Sequence, residues 1–229
     1  ESTNELMRQC DLVLATGGGA MVSAAYSSGT PALGVGVGNA VITVDDTADL
    51  DAAAEKIRLS KTLDLAASCS SDNSVVLLDG IYEPMLEKLK AQGGYLCNEE
   101  EKTALRNTLW DEELHLNTAI VAQPPEKIAQ MAGLNIPEET QFFIVPEAGW
   151  GPEHPFSGEK LSVIMALYRA RDIDHAIELT QNIQAYQGQG HSCGIYSGSD
   201  ENIMKLAANT YTSRVMVNQP QSASNSGNV

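Results

Sequence analysis

Four thiols, four imidazoles and one run of three glycines are the groups in this chain whose chemistry could exceed packing. Cys69 lies in "LDLAASCSSDN", residues 63 to 73, among small and polar residues. A lone cysteine commonly fills space as a small buried hydrophobe. Ser68, Ser70, Ser71, Asp72 and Asn73 are poor core material, however, and the segment joins a helical stretch to a strand-like one. A turn of that kind exposes a thiol and lines it with backbone donors, which lower its pKa and stabilise an oxyanion. Taken alone, Cys69 is either filler or nucleophile; as a nucleophile it is expected to alkylate fastest of the four thiols. The second group is "ATGGGAM", residues 15 to 21, where N–H groups at a helix start can receive a phosphate. It departs from G-x-G-x-x-G, so a nucleotide contact and a tight turn both remain open. Gly17, Gly18, Gly19, Gly29, Gly34, Gly36 and Gly38 crowd one short stretch, as a ligand brought close to backbone would require. Metal chemistry is disfavoured. His115, His154, His175 and His191 show no H-x-x-x-H or H-E pairing, and Cys10, Cys69, Cys97 and Cys193 form no C-x-x-C.

These residues need elements to hold them. Leu12 to Ala15 is a short apolar run, "AMVSAAYSSG" suits a helix stopped at Gly29, and "PALGVGVGNAVITV" follows as a second apolar segment. Together they make a βαβ unit. Asp46, Thr47, Asp49 and Asp51 stand where "ADLDAAAEKIRLSK" should begin, and read as helix-start residues complementing the dipole rather than as ligands. After Cys69 come the strand "SVVLLDG" and the helix "IYEPMLEKLKAQGG". The alternation resumes with "TAIVAQ", "PEKIAQMAG", "QFFIVP", "LSVIMALYRA", "DIDHAIELTQNIQAY", "CGIYSG", "ENIMKLAANT" and "RVMVNQ". It predicts an α/β fold with a largely parallel sheet.

Composition bounds the function. The 229 residues are 43% hydrophobic and carry 30 acidic against 14 basic side chains, a formal charge of −16. That charge repels phosphate backbones and anionic lipid, so neither nucleic acid nor membrane is an expected partner. No apolar run reaches the length of a membrane span and no signal sequence opens the chain, which predicts a cytoplasmic protein with reduced thiols. The opening on Glu1 and the polar ending "NQPQSASNSGNV" read as cut ends of a longer protein.

In order and spacing, "ATGGGAMV", "GVGVGNA", "SKTLDLAASCSSDNSVVLLDGIYEPMLEKL", "PFSGEKLSVIMALYRA", "GQGHSCGIYSG" and "SRVMVNQP" resemble the aldehyde dehydrogenase superfamily over essentially the whole chain. The likeness is strongest to the CoA-acylating branch, including the aldehyde dehydrogenase half of bifunctional aldehyde-alcohol dehydrogenases. It implies the end of a Rossmann-like cofactor domain over residues 1–38, an α/β catalytic domain over 39–217 and a polar loop over 218–229. Cys69 matches the nucleophile that forms a thiohemiacetal and, once hydride has left, a thioester, with its own N–H as half of an oxyanion hole. His191 matches a histidine near the reacting centre, against its reading as a structural imidazole. Thr16, Gly17 and Gly18 match the dinucleotide turn, Gly36 is placed with them, and Glu159 of "SGEKLS" matches the glutamate that holds the nicotinamide ribose rather than a solvated loop acid. The implied cofactor is NAD, with NADP not distinguished, coenzyme A is the cosubstrate, and the full-length protein is expected to be a homo-oligomer acting on a short aldehyde.

Two departures matter. Hydrolytic members carry a water-activating glutamate where this chain has Val35, and a valine cannot act as a base. Transfer to a thiol exchanges one thioester for another and needs less help. Val163 replaces the family's proline after "EKLS", which bears on the shape of that loop. A hydrolytic dehydrogenase and a non-catalytic assembly segment are the alternatives to the acylating enzyme. "SCSSDN" also resembles acylating sulfoacetaldehyde dehydrogenases, but a sulfonate wants a cationic partner and none is near Cys69 in sequence, leaving acetaldehyde equally open. The 229 residues alone are expected not to turn over.

Overall fold

Gly36 to Gly38 interrupt the apolar run 31–44, and the interruption divides the molecule. The computed structural model describes residues 2–222, in two units, Glu1–Gly38 and Asn39–Val229. The first unit contains α1 (Ser2–Arg8), β1 (Val13–Thr16), α2 (Gly19–Tyr26) and β2 (Ala32–Val35). β1 and β2 are parallel, with Val13 opposite Ala32 and Thr16 opposite Val35. Met7, Val13, Ala15 and Ala25 make its small core, while Leu14 and Leu33 on the alternate positions are exposed. Gly34 sets how closely helix meets strand: a Cβ there would lie 2.6 Å from Val22 Cγ1 and 2.9 Å from the Tyr26 ring.

The second unit contains β3 (Ala40–Val44), α3 (Leu50–Thr62), β4 (Asp72–Leu78), α4 (Tyr82–Ala91), β5 (Gly94–Leu96) and α5 (Glu99–Leu109). It continues with α6 (Pro125–Ala132), β6 (Phe142–Pro146), β7 (Ile164–Ala170), α7 (Ile173–Tyr186), β8 (Cys193–Tyr196), α8 (Asp200–Asn209) and β9 (Val215–Val217). Among the described residues seven strands form one sheet in the order β5-β6-β7-β4-β3-β8-β9, and every pair is parallel. β3, β4 and β8 are buried along their whole length, which is why β3 and residues 75–78 of β4 read as largely apolar runs. The expected α/β fold with a parallel sheet is the fold found.

Some local expectations fail. "TAIVAQ" is no strand: Thr118–Ile120 is a single tight helical turn capped by Asn117. Six residues with one buried side chain, Ile120, cannot supply a sheet position. β5 and α5 lie where no element is expected. The polar ending is partly packed, since Gln221 and Ser222 are buried and Ser222 Oγ donates to the Ser60 carbonyl at 2.8 Å. The rest of the loop expected at 218–229, residues 223–229, lies outside the described residues.

Candidate active site

Four adjacent strands, β7, β4, β3 and β8, enter the sheet from the same side because all run parallel. The segments leading into their amino ends therefore converge. Glu159 precedes β7, Cys69 precedes β4, Asn39 precedes β3 and His191 precedes β8. The site sits at the end opposite to the carboxyl ends where open α/β sheets usually bind ligands.

Cys69 is held by turns on both sides. Asp49 caps α3 through its Oδ1, which accepts from Ala52 N at 3.1 Å, and the helix runs to Thr62. Asp64, Leu65 and Ala66 then take left-handed backbone conformations, φ 47°, 51° and 59°, which non-glycine residues adopt at a cost. Ser71 N donates to the Ser68 carbonyl at 3.0 Å, closing a turn around Cys69, and the Ser68 and Ser70 hydroxyls pair at 2.9 Å. Below it, Ser60 Oγ donates to Asp72 Oδ1 at 2.8 Å, joining the end of α3 to the start of β4. The serines near Cys69 are thus hydrogen-bonded framework.

His191 arrives on a glycine-built loop. Gly188 and Gly190 have φ of +89° and +84°, where an L side chain would be strained. His191 N donates to the Gly188 carbonyl at 3.0 Å, and Gln184 Nε2 holds the Ser192 carbonyl at 2.9 Å. The imidazole then spans two partners: Nδ1 lies 2.9 Å from Ser192 Oγ and Nε2 3.3 Å from Cys69 Sγ. Two residues far apart in sequence are brought into contact.

Burial pushes the half-buried Cys69 thiol above its ordinary pKa and Glu159 raises it further, against its own backbone N–H and the Arg214 cation, which lower it. The lowered pKa expected from the turn's backbone donors is therefore not found, because desolvation outweighs them. Burial, with Arg214 adding to it, holds His191 below its ordinary value. Thiol and imidazole consequently rest as a neutral pair, and the tautomer that carries its proton on Nδ1, toward Ser192 Oγ, leaves an Nε2 lone pair facing the sulfur. Glu159 is half-buried; its N–H donates to Gln187 Oε1 at 2.9 Å, and its carboxylate is near enough to act on Cys69. Arg214 is the cation absent from the sequence around Cys69. Ser213, beside it, donates to the His191 carbonyl through both N and Oγ.

Thr16, Gly18 and Gly36 are exposed in the first unit, and Gly17 is half-buried. Gly18 is the N-cap of α2 and offers no side chain to the first-turn N–H groups, while a Cβ on Gly18, Gly19 or Gly36 would meet nothing within 4 Å. The turn between β1 and α2 is thus an open backbone surface that fits a pyrophosphate. Among the described residues no cluster of three or more histidine, cysteine or acidic side chains could hold a metal ion, and no helix is long and apolar enough to cross a membrane.

Fold and site together define an open, parallel α/β domain carrying a thiol paired with an imidazole. No family model matches the chain. The chain is 44% identical over 229 residues to an acylating sulfoacetaldehyde dehydrogenase of Cupriavidus necator, covering 99% of this chain and 46% of that protein. It spans just under half the length of the first curated relatives it matches. Among solved structures it is similar to an acetylating aldehyde dehydrogenase from Geobacillus thermoglucosidasius, with a TM-score of 0.93, 38% identity, and coverage of 96% of this chain and 49% of that one. It is also similar to a Rhodopseudomonas palustris propionaldehyde dehydrogenase with bound propionyl-CoA, at a TM-score of 0.87, 25% identity, and coverage of 96% and 49%. Over nearly its whole length the chain is thus similar to about half of proteins described as acylating or acetylating aldehyde dehydrogenases.

Proposed function

We propose that the whole protein is a CoA-acylating aldehyde dehydrogenase with Cys69 as nucleophile and His191 as proton acceptor. The observation that carries this reading is the 3.3 Å contact between Cys69 Sγ and His191 Nε2. His191 takes the thiol proton as sulfur attacks the aldehyde carbon, and the Cys69 N–H donates to the oxyanion of the thiohemiacetal. NAD, with NADP equally admissible, supplies the hydride acceptor when bound, leaving an acyl thioester on Cys69. The thiol of coenzyme A then attacks the thioester, giving its proton to an imidazole already freed of the first, and Cys69 leaves as the thiolate that is finally reprotonated. Residues 1–38 act as the end of the cofactor domain and 39–217 as the catalytic domain. Thr16, Gly17, Gly18 and Gly36 line the dinucleotide turn, and Glu159 holds the nicotinamide ribose.

The substrate is a short aldehyde. Arg214 favours one with an anionic tail, because its charge acts on both Cys69 and His191 and a guanidinium receives a sulfonate bidentately. The 44% identity to a sulfoacetaldehyde dehydrogenase supports the same choice over acetaldehyde. Rapid mixing of the whole protein with aldehyde and NAD(P)⁺ tests the acyl acceptor: about one reduced cofactor per site should appear and then stall, with coenzyme A restoring turnover. Sustained acid production without coenzyme A would replace this reading with the hydrolytic one.

A further inference from the structure

Three segments must agree before Cys69, Glu159 and His191 can meet, and two buried amides are where they do. Asn39 has no exposed surface and stands immediately before β3; Asn73, 4% exposed, is the second residue of β4, four positions after Cys69. Asn73 Nδ2 donates to Asn39 Oδ1 at 2.5 Å and to the Gly158 carbonyl at 2.6 Å. Asn39 Nδ2 donates to the carbonyls of Ser157 at 2.8 Å and Gln187 at 3.0 Å. All the amide hydrogens of the pair are therefore committed to each other, to the residues before Glu159 and to the segment leading to His191. Lys160 Nζ, also buried, adds a bond to the Gly158 carbonyl at 3.0 Å. Space is as tight as the bonding: a Cβ on Gly188 would lie 2.5 Å from Asn39 Cβ, and one on Gly158 would lie 2.7 Å from Gln187 Oε1.

Burying two amides costs more desolvation than burying two leucines, so their return must lie in what they fix. We propose that Asn39 and Asn73 are positioning residues, whose amide pair sets the Glu159 and His191 loops in register against Cys69. The consequence for turnover rests on the acylating reading; the consequence for the thiol's surroundings does not.

Asn73→Leu in the whole protein removes the donors at similar volume. The charged and titratable groups acting on Cys69 are Glu159, His191 and Arg214, and Glu159 is the one that raises the thiol's pKa. With its loop released, the midpoint of Cys69 alkylation by iodoacetamide across pH should fall by about half a pH unit or more. Glu159→Gln should lower the midpoint by itself and leave Asn73→Leu nothing further to shift. CoA-dependent kcat should drop about 10- to 100-fold, the scale of a small misplacement, with aldehyde KM nearly unchanged. A variant that loses thermal stability but keeps the midpoint and kcat would reduce the pair to a fold-holding role and overturn the proposal. Should Asn73→Leu not fold, Gln187→Met takes its place with the same readouts, since it removes the acceptor of the Glu159 N–H from a half-buried site. A midpoint shifted by the substitution, in a protein whose unsubstituted form shows no CoA-dependent turnover, would sink the acylating reading and leave the positioning intact. An unmoved midpoint in an active enzyme would do the reverse.

Discussion

At Cys69 and His191 the resting state is a neutral thiol against a neutral imidazole, which moves the demand for activation onto the moment of attack. Cys10 is the exposed thiol, Cys69 is half-buried, and Cys97 and Cys193 are buried with raised pKa values. Peptide mapping after brief iodoacetamide treatment at neutral pH should therefore find Cys10 labelled before Cys69, and Cys69 before the other two. The sequence pointed to Cys69 as fastest because its polar neighbours are visible there, whereas the desolvation and Glu159's field come from the fold. Arg214 offers a sharper check. Its cation lowers both Cys69 and His191, so Arg214→Leu should raise the alkylation midpoint and the imidazole's titration by NMR together. His191 itself, held below the ordinary 6.5, remains a proton acceptor to lower pH than a free imidazole. The acid limb of the kcat/KM profile should fall below that value and disappear in His191→Gln.

Among the elements, those with unbroken apolar runs or strong amphipathic spacing were legible. β3 and β4 are fully covered parallel strands, β6 and β7 are covered except at Pro146 and Arg169, and α3, α4 and α7 carry their apolar residues at helical spacing. α5 escaped because its first turn, Glu99 to Glu101, is wholly charged and only Leu105 and Leu109 are buried. Its usable signal was the capping box: Asn98 Oδ1 accepts from Glu100 N and Glu101 N at 3.0 Å each, and Glu101 reaches back to Asn98 N at 2.8 Å. Asn98→Ala should cost about 1 kcal/mol by chemical denaturation, with no effect on Cys69 alkylation. Nor did spacing reveal the junction of α3 and β4, where Lys61 and Asp72 are both buried. Desolvation lowers Lys61 to about 7 and raises Asp72 to about 7. Between its ordinary value and about 7, folded Asp72 keeps a proton that the unfolded chain releases, so stability falls as pH rises. Above about 7, unfolded Lys61 holds a proton that the folded chain lacks, so stability climbs again. Denaturation midpoints should dip near neutrality by comparison with Lys61→Met/Asp72→Asn, in which this contribution is absent.

For the whole molecule, the parallel direction of the sheet puts the amino-end segments together, and no local pattern announces which end will hold the chemistry. Only the order β7-β4-β3-β8 makes neighbours of Glu159, Cys69, Asn39 and His191. Val35, in contrast, was legible as one substituted position, and it carries a test of the acyl acceptor in the whole protein. It ends β2 and is 51% exposed, so Val35→Glu introduces a charge without emptying a core, a change of the kind folding tolerates within about 0.5 kcal/mol. On the proposed acylating reading, a carboxylate at this position in the whole protein should supply the general base that the resemblance implies, and water should then cleave the acyl-Cys69 thioester. Reduced cofactor should then continue to accumulate without coenzyme A, at about 10²-fold over the stalled background, with free acid as the product. CoA-dependent turnover should persist, because the thiol route needs nothing from residue 35. A variant that stays folded yet stalls like its parent would mean that position 35 is not where the acyl acceptor is chosen, and the discrimination between thiol and water would have to be sought around His191.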